Sequence, residues 1–330
     1  MLLWTWASEL LYCDATTKDK MAGKTVCVTG ASGFIASWLV KFLLDRGYTV
    51  RGTHLLQLPG ASDRLKLVSA ELLELGCFDE VVQGCDGVFH IASPIVVYVT
   101  DPQAQLIDPA VDGTLNVLAS CAKARTKKVI LTSSTGAVYT SPNLTSTSFV
   151  DESWWSDPEF CRKNKDWYQL SKTLAEKEAW NFVEEKGLEM VVINPSFTIG
   201  PALQGSKNFT SEFILGYLNG TTKTYPNSAR GFVGVKDVAM AHILAYESAH
   251  SNGRYICSGP VLHFADIVTI LTKLYPTYPI CAKDADETAP RVPSFTLSSH
   301  KLEDLGLHFQ PMEDVLRETV TSLKESGWLP

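Results

Sequence analysis

The stretch "TGASGFIAS" (29–37) constrains this chain more than any other. It closes the apolar, β-branched run "KTVCVTG" (24–30) and opens the amphipathic run "FIASWLVKFLLDRG" (34–47). A strand, a glycine turn and a helix in that order form the cradle of a dinucleotide pyrophosphate. Gly30 permits the tight turn, Gly33 lets backbone N–H groups approach the phosphates, and the small Ala36 lets the helix pack closely on the sheet. A glycine-rich turn without a ligand would read the same in isolation, so the surrounding pattern decides.

That pattern is an alternation of short apolar runs and longer amphipathic ones. Strands are predicted at 24–30, 48–53, 64–70, 87–93, 127–134 and 188–195, and helices at 34–47, 108–124 and 167–187. Such βαβ order predicts an α/β fold, a Rossmann-type doubly wound parallel sheet. After Pro195 the rhythm changes. Helices are predicted near 208–219, 236–249, 264–275 and 311–326, with one strand at 254–259. The expected division is an NAD(P)-binding domain over 21–195 and, over 196–330, mainly a smaller C-terminal substrate lobe with segments returning to the main domain. Pockets in such sheets lie beyond the carboxyl ends of the strands.

The 330 residues suffice for a sizeable core, and 45% apolar with 20% charged residues is ordinary globular composition. A net charge of −7 without a dense Lys/Arg run gives no attraction to nucleic acid or anionic membrane. The eight cysteines include no C-x-x-C pair and read as reduced thiols, although one opportunistic pair such as Cys77 and Cys85 is open. Neither a zinc cage nor any other metal site is expected, and His54 and His90 are lone histidines without ligand spacing. Residues 1–20 begin apolar but carry Glu9 and no basic n-region, so they read as a loose extension rather than a signal peptide or membrane span. A cytoplasmic location is the expectation.

"DWYQLSK" (166–172) places Tyr168 and Lys172 four residues apart on one helix face. They are either a proton donor beside its activating cation or a core tyrosine with a solvated lysine. The wider set of motifs chooses between these: "TGASGFIASW", "GCDGVFHIASP" (84–94), "GTLNVL" (113–118), "VILTSS" (129–134), "WYQLSKTLAE" (167–176) and "NPSFTIGP" (194–201). In this order the chain resembles the extended short-chain dehydrogenases/reductases over about residues 22–327. The likeness is to the plant dihydroflavonol reductases, cinnamoyl-CoA reductases, phenylacetaldehyde reductases and tetraketide pyrone reductases.

The resemblance implies hydride transfer from NADPH, with NADH a possible alternative, to a carbonyl that Tyr168 protonates. Lys172 would lower the tyrosine pKa and hold the nicotinamide ribose. Ser134 would polarise the carbonyl, with Ser133 its rival on sequence alone. Asn116 would hold a water linking the lysine to solvent, or be a structural mid-helix amide. Phe34 and Ile35 would approach the pyrophosphate. Glu71 and Leu72 would lie near the adenine, Ala92 and Ser93 beneath the cofactor, and Pro195 to Thr198 beside the nicotinamide. Relatives continue the second strand as V-R-G-T-V-R with further basic residues, whereas here "YTVRGTH" runs into "LLQLPGASDRL", shorter by roughly ten residues where NADP and NAD are discriminated. Arg51 is then the basic residue expected at the 2′-phosphate, with His54 a feeble second.

The substrate implied is an aromatic or polyketide-derived plant carbonyl compound. Tyr139 stands where dihydroflavonol reductases place an asparagine, and Tyr139, Trp154, Trp155 and Phe160 are pocket candidates that packing explains equally well. A monomer or weak homo-oligomer is expected. A cofactor-retaining epimerase or isomerase of the same fold and a catalytically silent dinucleotide sensor are the rival functions.

Overall fold

The computed structural model describes residues 23–52, 55, 57–94, 99–280, 283–285 and 289–330. The expectations for residues 1–20 and for His54 therefore lie outside the described residues. Five strands build the first part of the main sheet: β1 (Thr25–Thr29), β2 (Thr49–Gly52), β3 (Leu65–Leu67), β4 (Gly87–His90) and β5 (Val129–Thr132). Beyond the short β6 (Phe149–Val150) comes β7 (Met190–Pro195), and β8 (Phe197–Ile199), β9 (Thr224–Tyr225), β10 (Ala229–Gly234) and β11 (Gly253–Cys257) follow. The remaining strands are β12 (Val261–His263), β13 (Lys283–Asp284) and β14 (Thr296–Leu297).

The seven-stranded sheet runs β11-β7-β5-β4-β1-β2-β3. Every pairing in it is parallel. It is the doubly wound α/β arrangement expected from the alternation. Both faces are covered, which is why β7 is buried along its whole length and reads as a continuous apolar run, MVVINP.

The helices are α1 (Phe34–Asp45), α2 (Ala61–Arg64), α3 (Asp79–Val82), α4 (Asp108–Ala124), α5 (Pro158–Asn164) and α6 (Trp167–Lys186). After them come α7 (Phe209–Leu218), α8 (Val235–Glu247), α9 (Phe264–Leu274), α10 (His300–Asp304) and α11 (Met312–Glu325). On one face of the sheet α1 packs against α8, burying Leu39, Leu43, Val238 and Ile243 with Phe89 and Ile193. On the other, α4 packs against α6, burying Val117, Cys121 and Ala179 with Val88 and Val192. Each such side chain contributes about 1.5–3 kcal/mol when fully removed from water.

The chain after Pro195 divides its service. β11 becomes the edge strand of the main sheet and α8 covers it, so both belong structurally to the cofactor half. β10 pairs in parallel with β8 and antiparallel with β12. Around this small sheet α7, α9 and α11 close a second core containing Tyr217, Phe232, Phe264, Ile267 and Leu316.

Candidate active site

Both ends of the glycine loop are set by backbone geometry. Gly30 has φ +64, and a Cβ there would lie 2.9 Å from the Cα of Ala92, so no larger residue fits. Gly33 donates its N–H to the Gly30 carbonyl (2.8 Å) and starts α1 without a side-chain cap. The first-turn N–H groups of α1, at Phe34 and Ile35, are thus offered to an anion, as a pyrophosphate requires. Thr29 at the end of β1 accepts from the backbone N–H of Ile91 and Ala92, each at 3.1 Å, and bonds His90 Nδ1 at 2.9 Å. This hydroxyl fixes the loop from Ile91 to Ser93 beside the glycines. The Trp38 indole donates to the Pro201 carbonyl at 2.7 Å, tying α1 to the chain that follows β8.

Ser134 lies two residues beyond β5. Its Oγ accepts from the Gly136 N–H (3.0 Å), capping a 3-10 turn over Thr135–Ala137. That turn presses on α6, where a Cβ on Gly136 would meet Gln169 Cγ at 3.3 Å. Ser134 therefore stands within hydrogen-bond reach of the Tyr168 phenol, one residue before Gln169.

On α6 the side chains of Tyr168, Lys172 and Glu176 follow at intervals of four along one face. Lys172 is 7% exposed, and its Nζ lies 5.9 Å from the Tyr168 ring centroid. Burial pushes its pKa down to about 8, opposed by the negative charge of Glu176. A cavity of about 10 Å³, the size of one water, joins Lys172 and Glu176 to Ala92, Ser93 and Thr114.

The expected lowering of the Tyr168 pKa by Lys172 is not what the geometry gives. Desolvation raises it and the Ser134 hydrogen bond lowers it, and Lys172 is not among the groups that shift it. Because Tyr168 is 38% exposed, that upward push is weaker than for a wholly enclosed phenol.

Ser133 and Ser134 have separate tasks. Ser133 Oγ donates to Glu176 Oε2 at 2.6 Å in a buried network that also receives Asn194 Nδ2 at 2.9 Å. Arg254, from β11, donates its Nε to Glu176 Oε1 at 2.6 Å. Its other nitrogens reach the carbonyls of Glu152 (3.0 Å), Trp154 (2.5 Å) and Ala137 (3.2 Å). Neither Glu176 nor Arg254 was singled out in the sequence, although the continued spacing of four from Lys172 to Glu176 carried the signal for the former.

Two expected residues are occupied elsewhere. The Asn116 amide donates to the carbonyls of Leu72 (3.0 Å) and Glu74 (2.8 Å) and accepts from the Gly76 N–H (3.1 Å). It pins the loop that carries Glu71 and Leu72, with both of its amide hydrogens committed there. Leu72 itself packs on α4, where a Cβ on Gly113 would collide with it at 2.5 Å, and Glu71 is exposed. Arg51 Nη1 donates to the carbonyls of Val81 (2.9 Å), Gln83 (2.9 Å) and Glu80 (3.4 Å), closing the carboxyl end of α3. Its first duty is thus structural. Pro195 ends β7, and Thr198 donates its hydroxyl to the Ser196 carbonyl at 3.0 Å.

The aromatic candidates also divide. The Trp155 ring is covered by the Arg254 guanidinium at 3.8 Å, which makes it a packing residue. Tyr139 stacks on Phe295 at 5.0 Å, Trp154 belongs to the same small cluster, and Phe160 is half-buried on α5. His90 is buried, with its pKa pushed down to about 3 by desolvation and by the Lys172 charge. Among the described residues no group of His, Cys, Asp and Glu could hold a metal ion, and no helix is long and apolar enough to cross a membrane. The described cysteines, Cys77 and Cys85 included, are free thiols.

The chain is similar to known proteins along nearly its whole length. The chain is 51% identical over 320 residues to cinnamoyl-CoA reductase 1 of Petunia hybrida, covering 94% of this chain and 95% of that protein. It is 42% identical to tetraketide alpha-pyrone reductase 1 of Arabidopsis thaliana, covering 94% and 98%. The crystal structure of yeast methylglyoxal/isovaleraldehyde reductase complexed with NADPH superposes with a TM-score of 0.81 at 28% identity, covering 92% of this chain and 99% of that one. The NAD dependent epimerase/dehydratase family model matches residues 26–257. Glycine loop, parallel sheet and full-length likeness together make this chain a member of the NAD-dependent epimerase/dehydratase family, the extended short-chain dehydrogenases/reductases.

Proposed function

We propose that the protein is an NADPH-dependent carbonyl reductase of aromatic or polyketide-derived plant metabolites, of the kind that reduces cinnamoyl-CoA or tetraketide pyrones. The observation that carries this reading is the convergence of Ser134 and Tyr168 beside a buried Lys172, at the carboxyl end of the sheet that begins with the glycine loop. The full-length likeness to plant reductases supports the substrate class.

The cradle fits a dinucleotide. A Cβ on Gly30 would collide with Ala92 and push the glycine turn off the loop that follows β4, and the N-terminus of α1 has no side chain of its own to satisfy it. Gly30, Gly33, Phe34 and Ile35 would hold the pyrophosphate, Ala92 and Ser93 the floor, Pro195 and Thr198 the nicotinamide side, and Arg51 the 2′-phosphate. When bound, NADPH supplies the hydride.

The chain's own residues do the rest. Ser134 donates a hydrogen bond from its hydroxyl to the substrate carbonyl oxygen, keeping its proton, and so withdraws charge from the carbon. Tyr168 transfers its phenolic proton to the same oxygen as negative charge develops there. Lys172 stabilises the tyrosinate that remains and binds the ribose hydroxyls. Asn116 acts through the loop that it pins, at Glu71 and Leu72, rather than through a water at the lysine. Free thiols at every described cysteine agree with a cytoplasmic location.

The test is turnover. Purified protein with NADPH should consume reduced cofactor in proportion to aldehyde and free CoA formed from cinnamoyl-CoA, or to alcohol formed from an aromatic aldehyde or a tetraketide pyrone. Absence of net consumption with all three classes contradicts the proposal.

A further inference from the structure

Arg230 on β10 is a charged side chain of the substrate lobe that its apolar surroundings do not explain. Its guanidinium carbon lies 4.9 Å from the Phe264 ring centroid and 5.5 Å from that of Phe197. The two rings stand at 86° to each other, 6.5 Å apart, so the cation sits in a corner of aromatic faces. Stacking of this kind holds a planar guanidinium in place but uses none of its N–H groups. The Arg230 side chain makes no hydrogen bond and no ion pair among the described residues, and its Nε is buried without a partner. In a chain of net charge −7, a half-buried arginine without a carboxylate partner is unusual.

The strand that carries Arg230 runs beside the segment that follows β7. Gly231, the next residue, lies against Ser196, where a Cβ would meet the serine Cβ at 2.9 Å. Phe197 begins β8 immediately beyond Pro195 and Ser196. On the other side Tyr139 feels the Arg230 charge, which lowers its pKa against the effect of burial. Phe209, packed on Phe197 at 6.2 Å, is 52% exposed and leaves the aromatic corner open at its rim.

The geometry points to Arg230 as the binding residue for a carboxylate carried by the substrate, with the apolar part of the same molecule against Phe197 and Phe209. A carboxylate matches the fork of a guanidinium already held flat by its rings. This inference rests on the carbonyl-reductase reading for its kinetic consequence, but not for the binding itself.

The test therefore has two arms. In the first, cinnamate and cinnamyl alcohol are titrated into the full-length protein and into Arg230→Gln and Arg230→Lys by ligand-observed NMR. Arg230→Gln should weaken cinnamate at least fivefold and leave cinnamyl alcohol within twofold, with Arg230→Lys between, because it keeps the charge and loses the fork. In the second arm, 4-carboxybenzaldehyde and benzaldehyde are compared as substrates with NADPH. Arg230→Gln should raise the KM of the carboxylated aldehyde at least tenfold without changing that of benzaldehyde. A parent that reduces neither aldehyde but shows the expected NMR differences contradicts the reductase reading and upholds the site. Equal effects on the charged and neutral ligands, or no effect on either, overturn the site, provided that Arg230→Lys unfolds at the parent's temperature. If Arg230→Gln fails to fold, Arg230→Lys decides: unchanged cinnamate binding then overturns the site.

Discussion

Arg254 Nε lies 2.6 Å from Glu176 Oε1, and the two side chains are 7% and 0% exposed. This pair joins the edge strand β11 to the helix that carries Tyr168 and Lys172. Its remaining bonds, to the carbonyl of Ala137 and from Ser133 and Asn194, clamp the turn that follows Ser134. A buried pair is weak evidence of net stabilisation, yet removing one partner leaves an uncompensated charge. Here that charge would be next to Lys172.

Arg254→Leu should lower the unfolding free energy by about 3–5 kcal/mol, because it leaves the Glu176 carboxylate buried. Urea unfolding followed by circular dichroism measures it. A loss below about 1 kcal/mol, the range of an exposed pair, would show that the bridge does not hold the site together.

Lys172 gives the pH dependence its sign. Its folded value, about 8, is depressed below the ordinary 10.5, so charging it opposes folding below pH 8 and that penalty vanishes as pH rises toward 10.5. Catalysis runs the other way. The ammonium is needed beside Tyr168, so kcat/KM for carbonyl reduction should fall as pH rises through about 8. Lys172→Arg, which stays charged, should react more slowly and lose this alkaline limb. An unchanged limb in Lys172→Arg would assign it to another group.

Arg51 should discriminate cofactors only modestly, since its Nη1 is committed to the carbonyls of Val81 and Gln83 at 2.9 Å each. The preference for NADPH over NADH should stay below a hundredfold, about 2.7 kcal/mol, and should largely disappear in Arg51→Ala. Fluorescence titration of both reduced cofactors tests this. A hundredfold preference that survives in Arg51→Ala would place the 2′-phosphate elsewhere.

Much of the fold is legible in the sequence because parallel strands buried on both faces are written as bare apolar runs. Helix 108–124 was bounded to the residue, and 34–47 and 167–187 to within two residues of α1 and α6. β10 escaped notice because its ARGFVG carries two glycines and no alternation, and its pairing to β8 and β12 is non-local. Motif order pointed to Tyr168, Lys172 and Ser134, and the structure brings the three together. The partners of Asn116 and Arg51 are not legible in the sequence, for a common reason. The carbonyls that occupy them belong to the segment from Leu72 to Gln83, about 30 to 44 positions away, and the direction of a distant carbonyl leaves no periodic trace. Glu176 reads in sequence as a solvated helix charge, because the arginine that neutralises it lies 78 residues later.

The central claim is that Tyr168 is the proton donor of a carbonyl reductase, and Tyr168→Phe tests it most directly. Phenylalanine keeps the ring beside Lys172 and removes only the hydroxyl. Single-turnover reduction of the best substrate with saturating NADPH should slow by roughly two to four powers of ten, the usual worth of a positioned general acid, while NADPH affinity stays within a few fold. A Tyr168→Phe protein that reduces its substrate at the parent rate would contradict the account.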